Sequence, residues 1–321
     1  MHVAVVSTGG TIAMAESDAE GGASPELTGA DLVASVPGLE TVADVTVHDV
    51  SNLPSAHFTV ETMHEIAATV ADLDADDDVD GAVVTQGTDV LEELAYFLDL
   101  CYDGDTPVAV TGAMRNPSLA SPDGPANLLA SARAVIDAGT GDGGVYVVFN
   151  DRVLPARDAV KTNSMNADTF RSPEFGPLAV VEEHRVVWRR RSVDPDPTFD
   201  PDPDALTNDV HAVTVTVDTP PAQIRAAADS AALCLAATGA GHVPTTVLPA
   251  LEDLRDAGVP VVATTRCPEG RLARDTYGFR GSERTLRELD AYFGDLPLPK
   301  TRIRTIVALA ADRLDDAFDR P

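Results

Sequence analysis

Met1-His-Val-Ala-Val-Val-Ser-Thr-Gly-Gly-Thr-Ile-Ala13 opens the chain and decides its fold. Residues 3–6 form a continuous apolar run, which is typical of a strand buried on both faces of a parallel sheet. Two glycines end the run and permit positive φ angles, so the chain can turn at the carboxyl end of the strand. Ligands bind at that end of open α/β sheets. We therefore expect the hydroxyls of Thr8 and Thr11 at the rim of a site; a tight turn with a helix cap is the alternative.

The pattern of strand, glycine turn and helix recurs along the chain. Residues 82–84 form an apolar run that ends in Thr85-Gln-Gly-Thr-Asp89, and 90–100 carry apolar residues at helical spacing. Further strands are predicted at 44–48, 108–110 and 145–149, and further helices at 60–72 and 121–138. Strands that alternate with helices indicate βαβ units. The sequence therefore predicts an α/β fold with a mostly parallel sheet and three layers.

A segment rich in proline and aspartate divides the chain. Residues 192–209 cannot hold a helix or an inner strand, and we predict an interdomain linker there. The linker separates a large N-terminal domain, 1–191, from a smaller C-terminal α/β domain, 210–321. The second domain has predicted strands near 212–217, 232–236 and 260–264, and predicted helices near 220–229, 244–257, 283–292 and 301–312.

Composition limits the function classes. The formal charge is −29, from 52 acidic and 23 basic residues, and such a surface repels nucleic-acid phosphates. High salt would screen this self-repulsion, so the composition indicates a salt-adapted protein, with an ordinary acidic protein as the alternative. No apolar run reaches the roughly 18 residues of a membrane span, and we identify no signal peptide. The spacing of the cysteines and histidines favours neither a disulfide framework nor a metal site. We expect a cytoplasmic protein.

Hydroxyl, carboxylate and amine groups follow the predicted strands. Thr11 and Thr88 each come after a strand and a glycine. Asp89 lies at a predicted helix N-terminus, where the helix dipole favours an anion, and a simple helix cap is the alternative. Lys161 is one of only two lysines in a chain that otherwise uses arginine. An amine can lose its proton whereas a guanidinium cannot, so Lys161 is a candidate base, with an ordinary surface lysine as the alternative.

A set of motifs in fixed order resembles one family. The first motif is Thr8-Gly-Gly-Thr-Ile-Ala13, and the second is Thr85-Gln-Gly-Thr-Asp89 with Leu91-Glu-Glu93, in which Gln86 replaces the usual histidine. Five more motifs follow: Gly112-Ala-Met-Arg115, Asp123-Gly-Pro-Ala-Asn127, Asn150-Asp151, Arg157-Asp158 through Lys161-Thr-Asn163, and Tyr277-Gly-Phe279. Together they extend from end to end, and the chain resembles the L-asparaginase/glutaminase family with threonine nucleophiles.

The resemblance implies an activity and a site. Thr11 matches the threonine that attacks the side-chain amide, and Lys161 matches the amine that helps to deprotonate a threonine, in a cluster with Thr88 and Asp89. The sequence does not decide which threonine performs which step. Asp89 also matches the carboxylate that holds the substrate's α-ammonium. Substrate contacts are implied at Gly10, Ser51, Gly87, Thr88, Asp89 and Ala113. The resemblance further implies L-asparagine as substrate, weaker action on glutamine, no cofactor or metal, and a homodimer or homotetramer.

The chain departs from the family pattern at three places besides Gln86. In the block that binds the substrate carboxylate, Val50 stands where serine is often found, and Ser51 is the candidate, with a register uncertain by one residue. The family commonly has a tyrosine on the loop after the first motif, but residues 14–30 contain none, and the acidic candidates to replace it are Glu16, Glu20 and Glu26. In the second domain, Thr238-Gly-Ala-Gly-His242 replaces a Gly-Asn run of the family. Asp275 is the candidate for a contribution from a neighbouring subunit.

Two other functions fit similar motifs. One is the ammonia-producing subunit of a tRNA-dependent amidotransferase, which resembles asparaginases over its later part. Such subunits carry an extra N-terminal domain, whereas here the first strand is predicted at residue 3. The other is a non-catalytic amino-acid sensor that retains the pocket. The presence of Thr11, Thr88, Asp89 and Lys161 favours the enzyme.

Overall fold

The chain divides into two units. The computed structural model describes residues 1–17, 22–25, 27–139, 143–191 and 196–319. Its contacts separate Met1–Thr198 from Phe199–Pro321, a division inside the predicted linker. Linker residues 192–195 lie outside the described residues. Phe199 is buried in the second unit, where the guanidinium of Arg313 lies 5.0 Å from its ring centroid. The end of the predicted linker therefore packs with the second unit. Its prolines remove hydrogen-bond donors but do not prevent the segment from being buried.

The first unit alternates strands and helices. In its described residues the elements are β1 (His2–Gly9), β2 (Met14–Ser17), β3 (Gly22–Pro25), α1 (Gly29–Ala34), β4 (Asp44–Leu53), α2 (Val60–Asp74), β5 (Gly81–Thr85), α3 (Leu91–Cys101), β6 (Pro107–Thr111), α4 (Gly124–Ala138), β7 (Gly144–Phe149), β8 (Arg152–Pro155), β9 (Val160–Lys161), β10 (Phe170–Arg171), β11 (Ala179–Glu182) and β12 (Arg185–Trp188). Strands β9 and β10 pair with each other, as do β2 and β3. The other eight strands form one sheet.

The large sheet has the order β12-β11-β8-β7-β6-β5-β1-β4. Strands β7, β6, β5, β1 and β4 run parallel to their neighbours, which confirms the prediction of a mostly parallel α/β sheet. Strands β8, β11 and β12 continue the sheet in antiparallel orientation. These three strands were not predicted because each has only four residues, with a charged residue at one end.

Helices cover both faces of the parallel strands. Every residue of β5 and β6 is buried, and side chains alternate between the two faces of a strand, so both faces must be covered. On one face, Leu128 and Val135 of α4 pack with Val3, Val83 and Ala109. Helix α3 contacts β6 and β7 and packs against α2. Because β1, β5 and β6 run parallel, their carboxyl ends lie at one edge of the sheet.

Threonine caps start two of the helices. The Thr28 hydroxyl oxygen accepts a bond from the Asp31 N–H at 3.2 Å. The hydroxyl and the main-chain N–H of Thr28 in turn donate to the Asp31 carboxylate, and these bonds lower the pKa of Asp31. Thr59 accepts from the N–H of Thr62 at the start of α2. None of the helices in the described part of the chain has the length and hydropathy needed to cross a membrane.

The second unit is a smaller α/β domain, as predicted. Its described elements are β13 (Val210–Thr214), α5 (Pro221–Arg225), β14 (Ala232–Ala237), α6 (Leu248–Asp256), β15 (Val261–Thr265), α7 (Glu283–Glu288), β16 (Tyr292–Phe293), α8 (Leu298–Ala310) and α9 (Leu314–Ala317). The four strands form one parallel sheet in chain order. Helix α7 ends earlier than predicted, since Asp290 has a φ of +58° and β16 follows.

Candidate active site

Two glycines hold the ends of β1 and β5 in direct contact. Gly10 has a φ of +83°, in the left-handed region that favours glycine. A Cβ atom on Gly10 would lie 2.2 Å from the Cα of Gly87, so no side chain fits between the two backbones. Strands β1 and β5 are paired neighbours. Thr11 and Thr88, which directly follow these glycines, therefore lie on adjacent corners at the carboxyl edge of the sheet.

We expect Gly10→Ala to destabilise the protein strongly. Left-handed backbone costs an alanine about 1–2 kcal/mol. The clash with Gly87 adds an overpacking cost of about 1–3 kcal/mol. Gly38→Ala is the matched control, since Gly38 has a φ of +82° in the same unit and its added Cβ would meet nothing closer than 3.9 Å. Urea denaturation of both variants measures the difference, and equal midpoints would contradict the contact between the glycines.

Thr11 and Thr8 have different environments. Thr11 begins a short 3-10 turn, Thr11–Ala13, and is partly exposed. Thr8 is fully buried, and its hydroxyl donates to the Thr85 carbonyl oxygen at 2.7 Å. The prediction of a Thr8 hydroxyl at the rim is therefore wrong. Thr8 still belongs to β1, and its side chain points into the packed sheet instead of into the turn.

Lys161 binds two of the other candidate residues. Its Nζ donates to the Thr88 hydroxyl oxygen at 3.0 Å and to Asp89 Oδ1 at 2.8 Å. The Lys161 side chain is 14% exposed, so it is not an ordinary surface lysine. Lys161 lies 73 residues after Thr88 in the chain, on the two-residue strand β9. The fold thus brings an amine, a hydroxyl and a carboxylate together.

Asp89 is the exposed member of this cluster. Its side chain is 67% exposed, and its main-chain N–H donates to the Ser55 hydroxyl oxygen at 3.3 Å. Helix α3 has Val90 at its N-cap position, where no side chain caps the helix. Asp89 is therefore a partner of Lys161 and not a helix cap. Ser55 was not identified from the sequence, because a serine in a short loop gives no distinctive signal.

Glu92 contacts the main chain of the lysine. This residue lies in the first turn of α3 and is buried, with 9% of its surface exposed. Its Oε2 accepts a hydrogen bond from the main-chain N–H of Lys161. The sequence identified Glu92 only as a member of the second family motif, and the apolar stripe predicted for 90–100 did not predict a buried carboxylate at this position.

Asp168 attaches the β9–β10 pair to the large sheet. Its carboxylate forms ion pairs with Arg152 of β8 and Arg171 of β10 and accepts a bond from the Asn150 side-chain amide at 3.1 Å. Burial alone would raise the pKa of this carboxyl, but the bonds and charges of its partners, Arg152 foremost, lower it. The element that carries Lys161 is therefore held in place by an ionised carboxylate.

Gln86 supports the two corners from inside. It is fully buried, and its side-chain amide lies in contact with the Thr8 hydroxyl. Its main-chain N–H donates to the Thr111 carbonyl oxygen at 2.7 Å. The sequence marked Gln86 only as a departure from the family motif. In the structure it links β5 to both β1 and β6.

Ser51 lies beside the first corner. This residue of β4 is partly buried, and its hydroxyl donates to the Thr8 carbonyl oxygen at 3.0 Å. A hydroxyl oxygen that donates can still accept bonds. Ser51 is thus placed next to the turn that carries Gly10 and Thr11.

The corner after β6 completes the edge. A Cβ on Gly112 would lie 2.2 Å from the Gln86 carbonyl oxygen, so the corner after β6 contacts the corner after β5. The Asn127 side-chain amide donates to the Gly112 carbonyl oxygen at 2.9 Å. Ala113 is buried in a small cluster with Ile12. The ends of β1, β5 and β6, with Gly10, Thr11, Gly87, Thr88 and Ala113, therefore lie at one edge of the sheet.

Other predicted residues do not enter this geometry. Glu20 and Glu26 lie outside the described residues, and the side chain of Glu16 is not described. Asp275 lies in the second unit, where its carboxylate accepts a bond from Arg287 at 2.6 Å. The group that takes the place of the family's loop tyrosine stays a prediction.

The assembled groups suit acyl transfer. A threonine hydroxyl is a weak nucleophile and needs an adjacent base, and Lys161 Nζ is within hydrogen-bond distance of one such hydroxyl. An exposed carboxylate such as Asp89 can bind a cationic group of a ligand. Main-chain N–H groups at glycine corners can stabilise a developing oxyanion. These features are those expected where a carbonyl group is attacked and a tetrahedral intermediate forms.

Comparisons with known proteins identify the family of the chain. Two family models match the chain, "Asparaginase, N-terminal" over residues 2–194 and "Glutaminase/Asparaginase C-terminal domain" over residues 209–319. A glutaminase-asparaginase of Pseudomonas aeruginosa is 35% identical over 84% of this chain and 76% of its own length. An L-asparaginase of Bacillus licheniformis is 31% identical over 96% and 95%, respectively. The crystal structure of a probable cytoplasmic L-asparaginase from Campylobacter jejuni has a TM-score of 0.84 and 30% identity, covering 96% of this chain and 94% of that one. As its motifs predicted, the chain belongs to the asparaginase family.

Proposed function

We propose that this protein is an amidohydrolase that converts L-asparagine and water into L-aspartate and ammonia. The observation that carries the proposal is the pair of bonds from Lys161 Nζ to Thr88 and Asp89, beside the contact of Gly10 with Gly87. The names of the relatives from Pseudomonas aeruginosa and Bacillus licheniformis support the same substrate. Weaker action on L-glutamine is part of the proposal.

The substrate's charged groups would be held at two places. Asp89 binds Lys161 through Oδ1 and is 67% exposed, so its carboxylate is accessible to the α-ammonium of asparagine. Ser51, beside the first corner, would bind the α-carboxylate. Main-chain groups of Gly10, Gly87 and Ala113 would border the side-chain amide. Binding both charges fixes the carboxamide relative to the two threonines.

The reaction would then proceed through an acyl-enzyme. The Thr11 hydroxyl attacks the carboxamide carbon, and its proton is passed by way of Thr88 and Lys161 to the leaving nitrogen, which departs as ammonia. Main-chain N–H groups at the glycine corners stabilise the oxyanion. Water then attacks the resulting ester, one proton of that water passes to the threonine oxygen, and its hydroxyl oxygen stays on the aspartate that leaves. The same base can serve in both steps.

Product analysis tests the proposed function. The full-length protein is incubated with asparagine or glutamine, and ammonia and the amino-acid product are measured together. We expect equal amounts of ammonia and aspartate from asparagine, and slower release from glutamine. Calorimetric binding of asparagine without turnover would instead support the amino-acid sensor, and ammonia release that requires a large co-purifying protein would support the amidotransferase subunit.

The assembly and location belong to the same proposal. We infer a homodimer or homotetramer from the resemblance to the family, and a cytoplasmic location from the composition and from the Campylobacter jejuni protein, which is named as cytoplasmic. Light scattering coupled to size-exclusion chromatography measures the assembly. A monomer that releases ammonia at the full rate would contradict the inferred oligomer.

High salt should stabilise the protein. The formal charge of −29 opposes the compact state, and salt screens charges that lie more than a Debye length apart. We expect the melting temperature to rise by at least about 5 °C between about 0.1 M and about 2 M KCl. Screening changes fastest at low ionic strength, so most of the rise should occur in the first part of the titration. A melting temperature that is independent of KCl would contradict salt adaptation.

A further inference from the structure

The main chain of Lys161 is attached to the segment that carries its targets. Glu92 Oε2 accepts a hydrogen bond from the Lys161 N–H, although 69 residues separate the two. Glu92 is only three residues after Asp89 and four after Thr88, in the first turn of α3. One short segment therefore supplies both partners of the Lys161 amine and the acceptor of its main-chain N–H.

The pairing of β9 explains why this N–H needs an acceptor from α3. Lys161 is paired with Phe170 of β10, and the N–H of the following residue, Thr162, donates to the Thr169 carbonyl oxygen at 2.9 Å. Successive N–H groups of a strand point in opposite directions. The Lys161 N–H therefore points away from β10, toward the carboxylate of Glu92.

We propose that Glu92 is a positioning residue for the lysine of the active site. The inference rests on the proposed function, since it assigns Glu92 a role in the reaction that Lys161 would assist. A lysine side chain has four rotatable bonds, and its ammonium has no fixed geometry of its own. Glu92 fixes the point from which the side chain starts. The Nζ atom then reaches the Thr88 hydroxyl and Asp89 together, at 3.0 and 2.8 Å.

Substitution at Glu92 should affect turnover more than binding. A misplacement of about 1 Å in a catalytic group can reduce the rate by about 100-fold. We expect Glu92→Ala to lower kcat for asparagine by about 10- to 100-fold, with a KM within about threefold of wild type. Glu92→Gln retains an acceptor oxygen at the same reach and should restore kcat to within about threefold. A merely structural role would lower the melting temperature without this separation of kcat from KM.

Glu93→Ala is the matched control. It removes the same side chain from the same helical turn, where Glu93 is partly exposed, and should leave kcat unchanged. Glu92→Asp covers the case in which the alanine variant does not fold, because it keeps the charge but shortens the reach; we expect a lower kcat. A folded Glu92→Ala or Glu92→Asp variant with wild-type kcat would overturn the proposal, as would a Glu92→Gln variant as slow as Glu92→Ala.

These outcomes are distinct from failure of the proposed function. If the wild-type protein releases no ammonia from asparagine, the amidohydrolase proposal fails, and the inference about Glu92 fails with it. If wild type and Glu93→Ala are active and all Glu92 variants match them, only the positioning role is lost. Circular dichroism and thermal unfolding of each variant show whether the fold is retained.

Discussion

Thr11→Ala should abolish asparagine hydrolysis, with a loss in kcat of about 10,000-fold or more. The variant removes the hydroxyl proposed to form the acyl-enzyme, and no other group on the first corner can replace it as a nucleophile. Thr11 is partly exposed on a short turn, so the fold should tolerate the smaller side chain. Coupled measurement of ammonia and aspartate in wild type and variant gives the ratio directly.

Trapping the aspartyl ester tests directly whether Thr11 is the nucleophile. Acid-quenched wild-type protein with asparagine should carry an aspartyl adduct on the peptide that contains Thr11, and Thr11→Ala should not. Thr11→Ser keeps a hydroxyl and should retain activity within about 100-fold of wild type. An adduct on the peptide that contains Thr88 would reverse the proposed roles of the two threonines. An active Thr11→Ala protein would refute the threonine mechanism at this position.

Lys161→Met should reduce kcat by about 1,000-fold, the size of effect typical of a general base. Methionine has a similar length but offers no proton acceptor to the Thr88 hydroxyl and no partner to Asp89. Since Asp89 would still bind the substrate's ammonium, we expect KM to change much less than kcat. Steady-state assays with asparagine, with thermal unfolding as the check on folding, measure both effects.

Lys161→Arg separates charge from proton transfer. The guanidinium can keep the ion pair with Asp89, but it cannot lose its proton under any physiological condition. If Lys161 acts as a base, this variant should be folded and nearly as inactive as Lys161→Met. An arginine variant with most of the wild-type kcat would show that the position requires only a positive charge.

Much of the first domain could be predicted because its parallel strands are continuous apolar runs. The run at residues 3–6 and its two glycines identified β1 and its corner, and the run at 82–84 did the same for β5. The contact between the backbones of Gly10 and Gly87 could not be predicted in this way. A sequence shows that a position is glycine, but not which distant backbone it must approach.

The residues that form the site could be grouped only from the resemblance to the family, for similar reasons. No spacing rule connects Lys161 with Thr88 across 73 residues, and only the family motifs suggested that they belong together. The contacts of Glu92 and Ser55 were not predicted, because both accept hydrogen bonds from main-chain N–H groups, which leave no pattern in the sequence. The hydroxyl of Thr8 was misplaced because strand β1 extends to Gly9, further than its apolar run.

Asp168, which attaches β9 and β10 to the large sheet, makes the placement of Lys161 dependent on pH. The pKa of this carboxyl is lowered in the folded chain, from an ordinary value of about 3.9. Its stabilising contribution is complete above that value and disappears as the pH falls through the lower folded value. We therefore expect strong acid to weaken the attachment of the β9–β10 pair, which bears Lys161, before the large sheet unfolds; hydrogen exchange of the β9–β10 amides at decreasing pH measures this. Acid inactivation of this protein would then begin as a local, proton-linked opening.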